Sequence, residues 1–257
     1  MKVVILAGGR GSRLNEETYA KPKPMVEVGG MPILAHIMNI YARAGFKEFV
    51  LALGYRGDII KDYFINHHLR SRDVTVDLRT GGITYATEPV QDWLVHLVDT
   101  GQDTLTGGRL ARLKSHLSDG TFMLTYGDGV ADLDPADVLA FHRAHKRLAT
   151  VTAVRPPGRF GAMELDGDGV QKFKEKQVGQ GWVNGGFFVF EPGVFDYLTE
   201  GDRTILEQEP LERLTAAGQL AAFRHEGFWH AMDTIRDRDV LNDLWVTGAA
   251  PWRREAL

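Results

Sequence analysis

Apolar residues fall along this chain in two alternating textures. Val3 to Ala7 is an unbroken, β-branched apolar run of strand length, the pattern of a strand buried on both faces of a parallel sheet. It runs into Gly8-Gly9-Arg10-Gly11-Ser12-Arg13-Leu14. Pro32 then opens a helical repeat in which Ile33, Leu34, Ile37, Met38, Tyr41 and Ala42 share one face and Gly45 marks the end. Phe49 to Leu53 reads as the next strand and Asp58 to Leu69 as the next helix. Val74 to Leu78 and Ile83 to Thr87 read as short strands about Gly81-Gly82, and Thr106 to Leu117 as a helix. Phe122 to Tyr126 is an apolar strand ending in Gly127-Asp128-Gly129. Asp134-Pro135 caps a helix reaching about Lys146, and Thr150 to Val154 is a further strand.

Beyond Arg155 the texture changes. A Pro/Gly segment at 156–161 precedes two hairpin strands, Met163 to Leu165 and Val170 to Glu175. Gly186 to Phe190 and Leu220 to His225 read as strands, and Pro210 to Ala217 and Ile235 to Val246 as helices. Phe228 to Thr234 reads as a loop. The alternation predicts a Rossmann-like α/β fold: a mixed, mainly parallel sheet flanked by helices, with a small β-rich subdomain. We expect one domain over 1–257, divided into 1–154, 155–234, and a C-terminal helix and tail in 235–257.

Composition narrows the chemistry. The 257 residues hold no cysteine, which excludes disulfides, a thiol nucleophile and Cys-ligated zinc or iron–sulfur sites. A net charge of −4 with mixed signs argues against nucleic acid as a partner. No apolar run approaches the length of a membrane span, and the stretch from Met1 to Ala7 is too short for a signal peptide, so a cytoplasmic location is expected.

The loop Gly8–Arg13 suits phosphate, because glycines let backbone N–H groups approach oxygens and arginines add planar charge. Taken alone it fits a tight strand-to-helix turn equally well. It is not a dinucleotide fingerprint, since Leu14 stands where the third glycine would be, and no Gly-Lys-Ser/Thr follows to make a P-loop. Lys21-Pro22-Lys23-Pro24 places two lysines on a stiff segment, which alone reads as a solvated loop. Asp128, between glycines after an apolar strand, is placed at the sheet's C-terminal edge, where ligands bind in open α/β sheets. Asp233 precedes the last helix and competes with a capping role. His142 and His145, three apart on a helix, could bind metal; a half-exposed helix face is the favoured reading. Trp245 and Trp252 are read as packing residues, and the tail Pro251-Trp252-Arg253-Arg254 as a candidate for docking on a neighbouring subunit.

In combination these strings resemble the sugar-1-phosphate nucleotidyltransferases. L-A-G-G-R-G-S-R-L, K-P-K-P and G-G-M-P-I-L follow the family's N-terminal signature, with Met31 where a lysine is usual. Tyr126-Gly127-Asp128-Gly129, Glu175-Lys176, Asn184-Gly185-Gly186 and the segment Trp229 to Thr234 resemble its later motifs in order; Gln177 replaces a proline after Lys176. Further stretches, among them L-V-D-T-G-Q-D-T-L-T-G-G-R-L and E-Q-E-P-L, resemble the branch that uses CTP.

The resemblance implies CTP and glucose 1-phosphate as substrates, CDP-glucose and pyrophosphate as products, Mg²⁺ as cofactor, and a homo-oligomer. It also implies that the product feeds CDP-dideoxysugar synthesis for surface polysaccharide. Uridylyl or thymidylyl transfer is the alternative. Family spacing makes Lys23, not Lys21, the catalytic lysine, beside Arg13. It implies nucleotide contacts from Leu6, Ala7, Gly8, Gly9, Arg10, Gly11, Ser12, Arg13, Lys23, Thr106, Gly107, Arg109 and Gly127. Sugar-phosphate contacts fall to Glu175, Lys176, Asn184, Gly185 and Trp229, and metal to Asp128 and Asp233, so that 1–154 is mainly the nucleotide-binding part and 155–234 mainly the sugar-phosphate-binding part.

Overall fold

The computed structural model describes residues 1–11, 14, 18–85, 91–156, 162–166, 169–174 and 181–253. Seven strands form one sheet: β1 Lys2–Leu6, β2 Glu48–Leu53, β3 Leu94–Asp99, β4 Phe122–Tyr126, β5 Ala149–Val154, β6 Val183–Phe190 and β7 Leu220–His225. Their order is β7-β5-β6-β4-β1-β2-β3. Every neighbouring pair is parallel except the two that involve β6. The mixed, mainly parallel sheet expected from the sequence is present.

Residues along the strands divide between two cores. Val3, Ile5, Phe49, Leu51 and Met123 pack with one layer, which includes α1 (Ile33–Arg43) and Leu241 of the last helix, α6 (Ile235–Val246). Val4, Val50, Leu124 and Phe188 pack with Leu110 of α3 (Thr106–Arg112) and Leu214 of α5 (Glu209–Ala216). Helices therefore cover both faces, which is why these strands read as continuous apolar runs. Among the described residues no helix is long and apolar enough to cross a membrane.

Several boundaries differ from the sequence reading, for local reasons. Strand β3 was not expected: Leu94, Val95, Leu97 and Val98 alternate weakly around His96, and this edge strand is only partly buried. The helix expected over 58–69 is two, α2 (Gly57–Ile65) and a short turn His67–Ser71, separated at Asn66. The helix expected over 106–117 likewise breaks at Leu113. The hairpin strands Ala162–Asp166 and Gly169–Lys174 pair as expected. The expected loop 228–234 contains the strand Trp229–Ala231, which pairs with Gly129–Ala131.

Trp252 is a packing residue, as expected: it is buried in its own chain, stacked on Phe228, with its indole N–H directed to His36 Nδ1 at 3.3 Å. A further expectation is corrected. His142, in α4 (Pro135–His145), is not half-exposed but fully buried. Its ring nitrogens meet Thr150 Oγ1 at 2.8 Å and Glu191 Oε1 at 3.2 Å. His145 Nε2 reaches the same threonine oxygen at 2.7 Å, and its Nδ1 accepts the Arg147 N–H at 2.9 Å. That acceptor fixes the proton of His145 on Nε2, so the Thr150 hydroxyl accepts from His145 and donates to His142 Nδ1. His142 then donates from Nε2 to the Glu191 carboxylate. Each ring in this relay is neutral, and a proton added to either ring breaks it.

Burial, with Arg147 beside His145, lowers the pKa of both histidines; burial also lowers that of His36. A histidine depressed in the fold takes up its proton more readily once the chain unfolds. Stability is therefore full above the ordinary value of 6.5 and falls as pH drops through it. Each fully neutral buried histidine costs up to ~1.4 kcal/mol per pH unit in that window, or about 2–4 °C in a chain of this size. Thermal melts between pH 8 and 5 should show this decline, and His142→Gln should flatten it. An unchanged pH profile in the variant would refute the neutral relay.

Candidate active site

A cavity of about 460 Å³ opens at the C-terminal edge of the sheet, over β1 and β4. Leu6, Gly8, Gly9 and Gly11 form one wall, and Tyr126, Gly127 and Asp128 another. Ala7 is buried behind the first wall, donating its N–H to the Ala52 carbonyl. Arg10 is on the exposed side of the loop and pairs with Asp103 at 2.7 Å. Ser12, Arg13, Glu175 and Lys176 lie outside the described residues.

Lys23 begins a short 3-10 turn, Lys23–Met25, entered through the extended Pro22. Pro24 and Met25 are buried, so the turn is anchored and the lysine is aimed inward. Its ammonium lies 2.5 Å from Asp128 Oδ2 and 2.8 Å from Asp233 Oδ1. Lys21 turns away to Glu27, at 3.7 Å. Burial alone would depress the Lys23 pKa, but the two carboxylates outweigh it and hold the ammonium above its usual value.

Asp128 and Asp233 stand 105 residues apart in sequence, and the short ladder missed in the sequence brings them together. Gly129 pairs with Ala231, and the Met232 N–H donates to the Asp128 carbonyl at 2.8 Å. The competing capping role falls to Thr234, not to Asp233. Thr234 Oγ1 accepts the Asp237 N–H, and Asp237 Oδ2 accepts the N–H groups of Asp233 at 3.1 Å and Thr234 at 2.8 Å. This reciprocal cap, with His230 at 3.2 Å from Asp237 Oδ1, fixes the turn that presents Asp233.

The two carboxylates converge on one cationic point with no further acidic ligand; among the described residues no group of three metal-binding side chains occurs. That donor set fits Mg²⁺, which keeps waters and binds through one or two carboxylates plus phosphate oxygens.

Arg109 borders the cavity but is 4% exposed. Its terminal nitrogens donate to the carbonyls of Gly8, Leu53, Gly101 and Gln102 and to Thr100 Oγ1, at 2.6–3.2 Å. One guanidinium thus ties together the segments that leave β1, β2 and β3. Glycine is required at two of its neighbours: a Cβ on Gly8 or Gly54 would sit 2.3 Å from the guanidinium. Burial lowers the Arg109 pKa, with Asp99 and Asp103 opposing, and arginine's basicity keeps it charged. Thr106 lines the cavity, whereas Gly107 lies against Thr204 and Leu206, its N–H bound to the Thr204 carbonyl.

On β6, Asn184 accepts the Gly186 N–H at 2.8 Å and donates to Tyr126 Oη at 3.2 Å. Gly186 has φ +81°, a conformation that lets the chain pass the Tyr126 ring. The Trp229 indole N–H donates to the Gly185 carbonyl at 2.8 Å, which fixes the ring beside that strand. Tyr126, Thr104 and Glu207 complete the cavity and were not singled out from sequence. The E-Q-E-P-L string contains Glu207, but an acid two residues before a helix start reads by default as helix-dipole compensation.

Comparisons with known proteins give the family of the chain. Residues 2–237 match the family described as nucleotidyl transferase. The chain is 51% identical over 255 residues to the glucose-1-phosphate cytidylyltransferase of Salmonella typhi, covering 98% of this chain and 99% of that one. It is 42% identical to a probable glucose-1-phosphate cytidylyltransferase of Bacillus subtilis, with 98% and 99% coverage. The fold is shared with a UDP-glucose pyrophosphorylase complexed with UDP-glucose, at TM-score 0.69 and 14% identity, over 96% of this chain and 98% of that one.

Proposed function

The chain belongs to the nucleotidyl transferase family, and from that premise we propose that it transfers a cytidylyl group from CTP to glucose 1-phosphate, giving CDP-glucose and pyrophosphate. The observation that carries this reading is Lys23 held between Asp128 and Asp233 beside the glycine wall. The near-full-length identity to cytidylyltransferases supports the choice of donor and sugar.

A phosphate oxygen of the sugar attacks the α-phosphorus of CTP in line, a new P–O bond forms, and the bond to the β-phosphate breaks as pyrophosphate leaves. The nucleophile is already an anion, so no general base is needed, and catalysis is positioning and charge stabilisation. Lys23 stabilises charge at the α-phosphoryl group. The backbone of Gly8 to Gly11, with Ser12 and Arg13, receives the β- and γ-phosphates. Arg109 fixes the carbonyl frame around the nucleotide, with Thr106 on its wall. Asn184, Gly185 and Trp229, with Glu175 and Lys176, take the sugar phosphate. Asp128 and Asp233 would hold Mg²⁺, which when bound supplies charge neutralisation at the phosphates. Assembly as a homo-oligomer belongs to the same proposal and is checked by light scattering.

Pyrophosphate release across a panel of nucleoside triphosphates and sugar 1-phosphates tests the reading. CTP with glucose 1-phosphate should give the highest kcat/KM. A preference for UTP or dTTP would replace it with the alternative transfer.

A further inference from the structure

The cavity contains a third carboxylate that the chemistry above leaves unused. Glu207 lies between the short 3-10 turn Gly201–Arg203 and α5, and lines the cavity. Its partners are two neutral hydroxyls: Tyr126 Oη donates to Oε1 at 2.5 Å and Thr106 Oγ1 donates to Oε2 at 2.7 Å. Thr106 Oγ1 in turn accepts the Leu206 N–H, and Tyr126 Oη accepts from Asn184. The phenol cannot reverse its role, because burial and then the Glu207 charge itself push its pKa far up and keep it a donor. Glu207 is thereby fixed at the junction of the nucleotide wall, through Thr106, and β6, through Tyr126 and Asn184.

Asp128 and Asp233 share the charge of Lys23, whereas among the described residues Glu207 has no cation among its hydrogen-bond partners. A carboxylate offers about four acceptor directions, and two are taken. In a cavity built for phosphates, an uncompensated anion repels the phosphate part of the ligand. Its remaining acceptor capacity suits a part that carries N–H or O–H donors.

We propose that Glu207 is a specificity-determining residue that accepts a hydrogen bond from a neutral donor of the bound substrate, either a hydroxyl of a sugar ring or the exocyclic amine of the base. This rests on the cytidylyl-transfer reading. A base amine would be matched by the carboxylate, while the carbonyl of uracil or thymine at the same place would meet acceptor against acceptor.

The test uses full-length wild type and Glu207→Gln, which keeps the shape and a donor–acceptor pair for the two hydroxyls. Wild-type turnover with CTP and glucose 1-phosphate checks the function itself; if another pair proves preferred, that reading fails while the same comparison proceeds on the preferred pair. For the variant, kcat/KM should fall roughly 10- to 100-fold, the worth of a hydrogen bond to a charged group. The loss should be selective. Recognition of the base predicts that the CTP-to-UTP ratio collapses. Recognition of a hydroxyl predicts that dCTP or one deoxyhexose 1-phosphate is used equally by wild type and variant while that ratio stands. A loss uniform across every analogue, or a folded variant with unchanged kcat/KM, would overturn the proposal. Tyr126→Phe, which removes the strut but leaves the carboxylate, should raise KM without erasing the selectivity.

Discussion

Replacing Lys23 with alanine should lower kcat by about 10²–10³, the loss found when one preorganised charge-stabilising donor is removed from a phosphoryl- or acyl-transfer site. The ammonium serves two roles. In the free protein it neutralises Asp128 and Asp233, at 2.5 and 2.8 Å. In the proposed turnover it would stabilise charge at the α-phosphoryl group. Without it, two carboxylates face one another and the fold pays for their repulsion. The Lys23 pKa is raised in the fold, so its stabilisation is complete below the ordinary value of 10.5 and is lost as pH rises through the higher folded value. At neutral pH the wild type therefore has all of it and Lys23→Ala has none. A divalent cation should reverse the deficit: Mg²⁺ without nucleotide should raise the melting temperature of the variant more than that of the wild type. Lys23→Arg should not restore turnover, because a planar fork cannot occupy the point between the two oxygens. Near-normal turnover in Lys23→Ala would remove the lysine from the mechanism.

Part of this site is legible in the sequence. The glycine run and Asp128 are placed at the sheet edge by the apolar strands before them, because local pattern is what a sequence displays well, whereas Lys23 stands out from Lys21 only through the family's spacing. The register between distant segments is less visible. The three-residue strands Gly129–Ala131 and Trp229–Ala231 are too short for periodicity to reveal, yet they set the distance between the two aspartates. Glu207 was hidden for a related reason: its partners Thr106 and Tyr126 lie 101 and 81 residues away, on other elements. His142 shows the opposite error. A histidine on a helix with charged neighbours looks half-exposed, and only the packing of Thr150 and Glu191 around it shows a buried polar relay.

Arg109 carries the second large expectation, and here stability should change as much as activity. Arg109→Ala would leave four carbonyl oxygens and the Thr100 hydroxyl without their shared donor. Breaking a buried charged network costs about 3–5 kcal/mol, or roughly 10 °C in a chain of this size. Lysine cannot substitute, since one ammonium has three donors and no fork to span three strand ends. The glycines supply an independent check that leaves the arginine in place. Gly54→Ala would put a Cβ 2.3 Å from Arg109 Nη1, so the guanidinium must shift, and a smaller loss of the same kind should follow. Because the Gly8 carbonyl is one of the five acceptors, the glycine wall should loosen together with the fold, and KM for the nucleotide should rise in both variants. The pairing of effects is the discriminating result. Thermal melts and KM that worsen together identify Arg109 as the brace of the nucleotide wall. A raised nucleotide KM with an unchanged melting temperature would instead assign its guanidinium to the bound base.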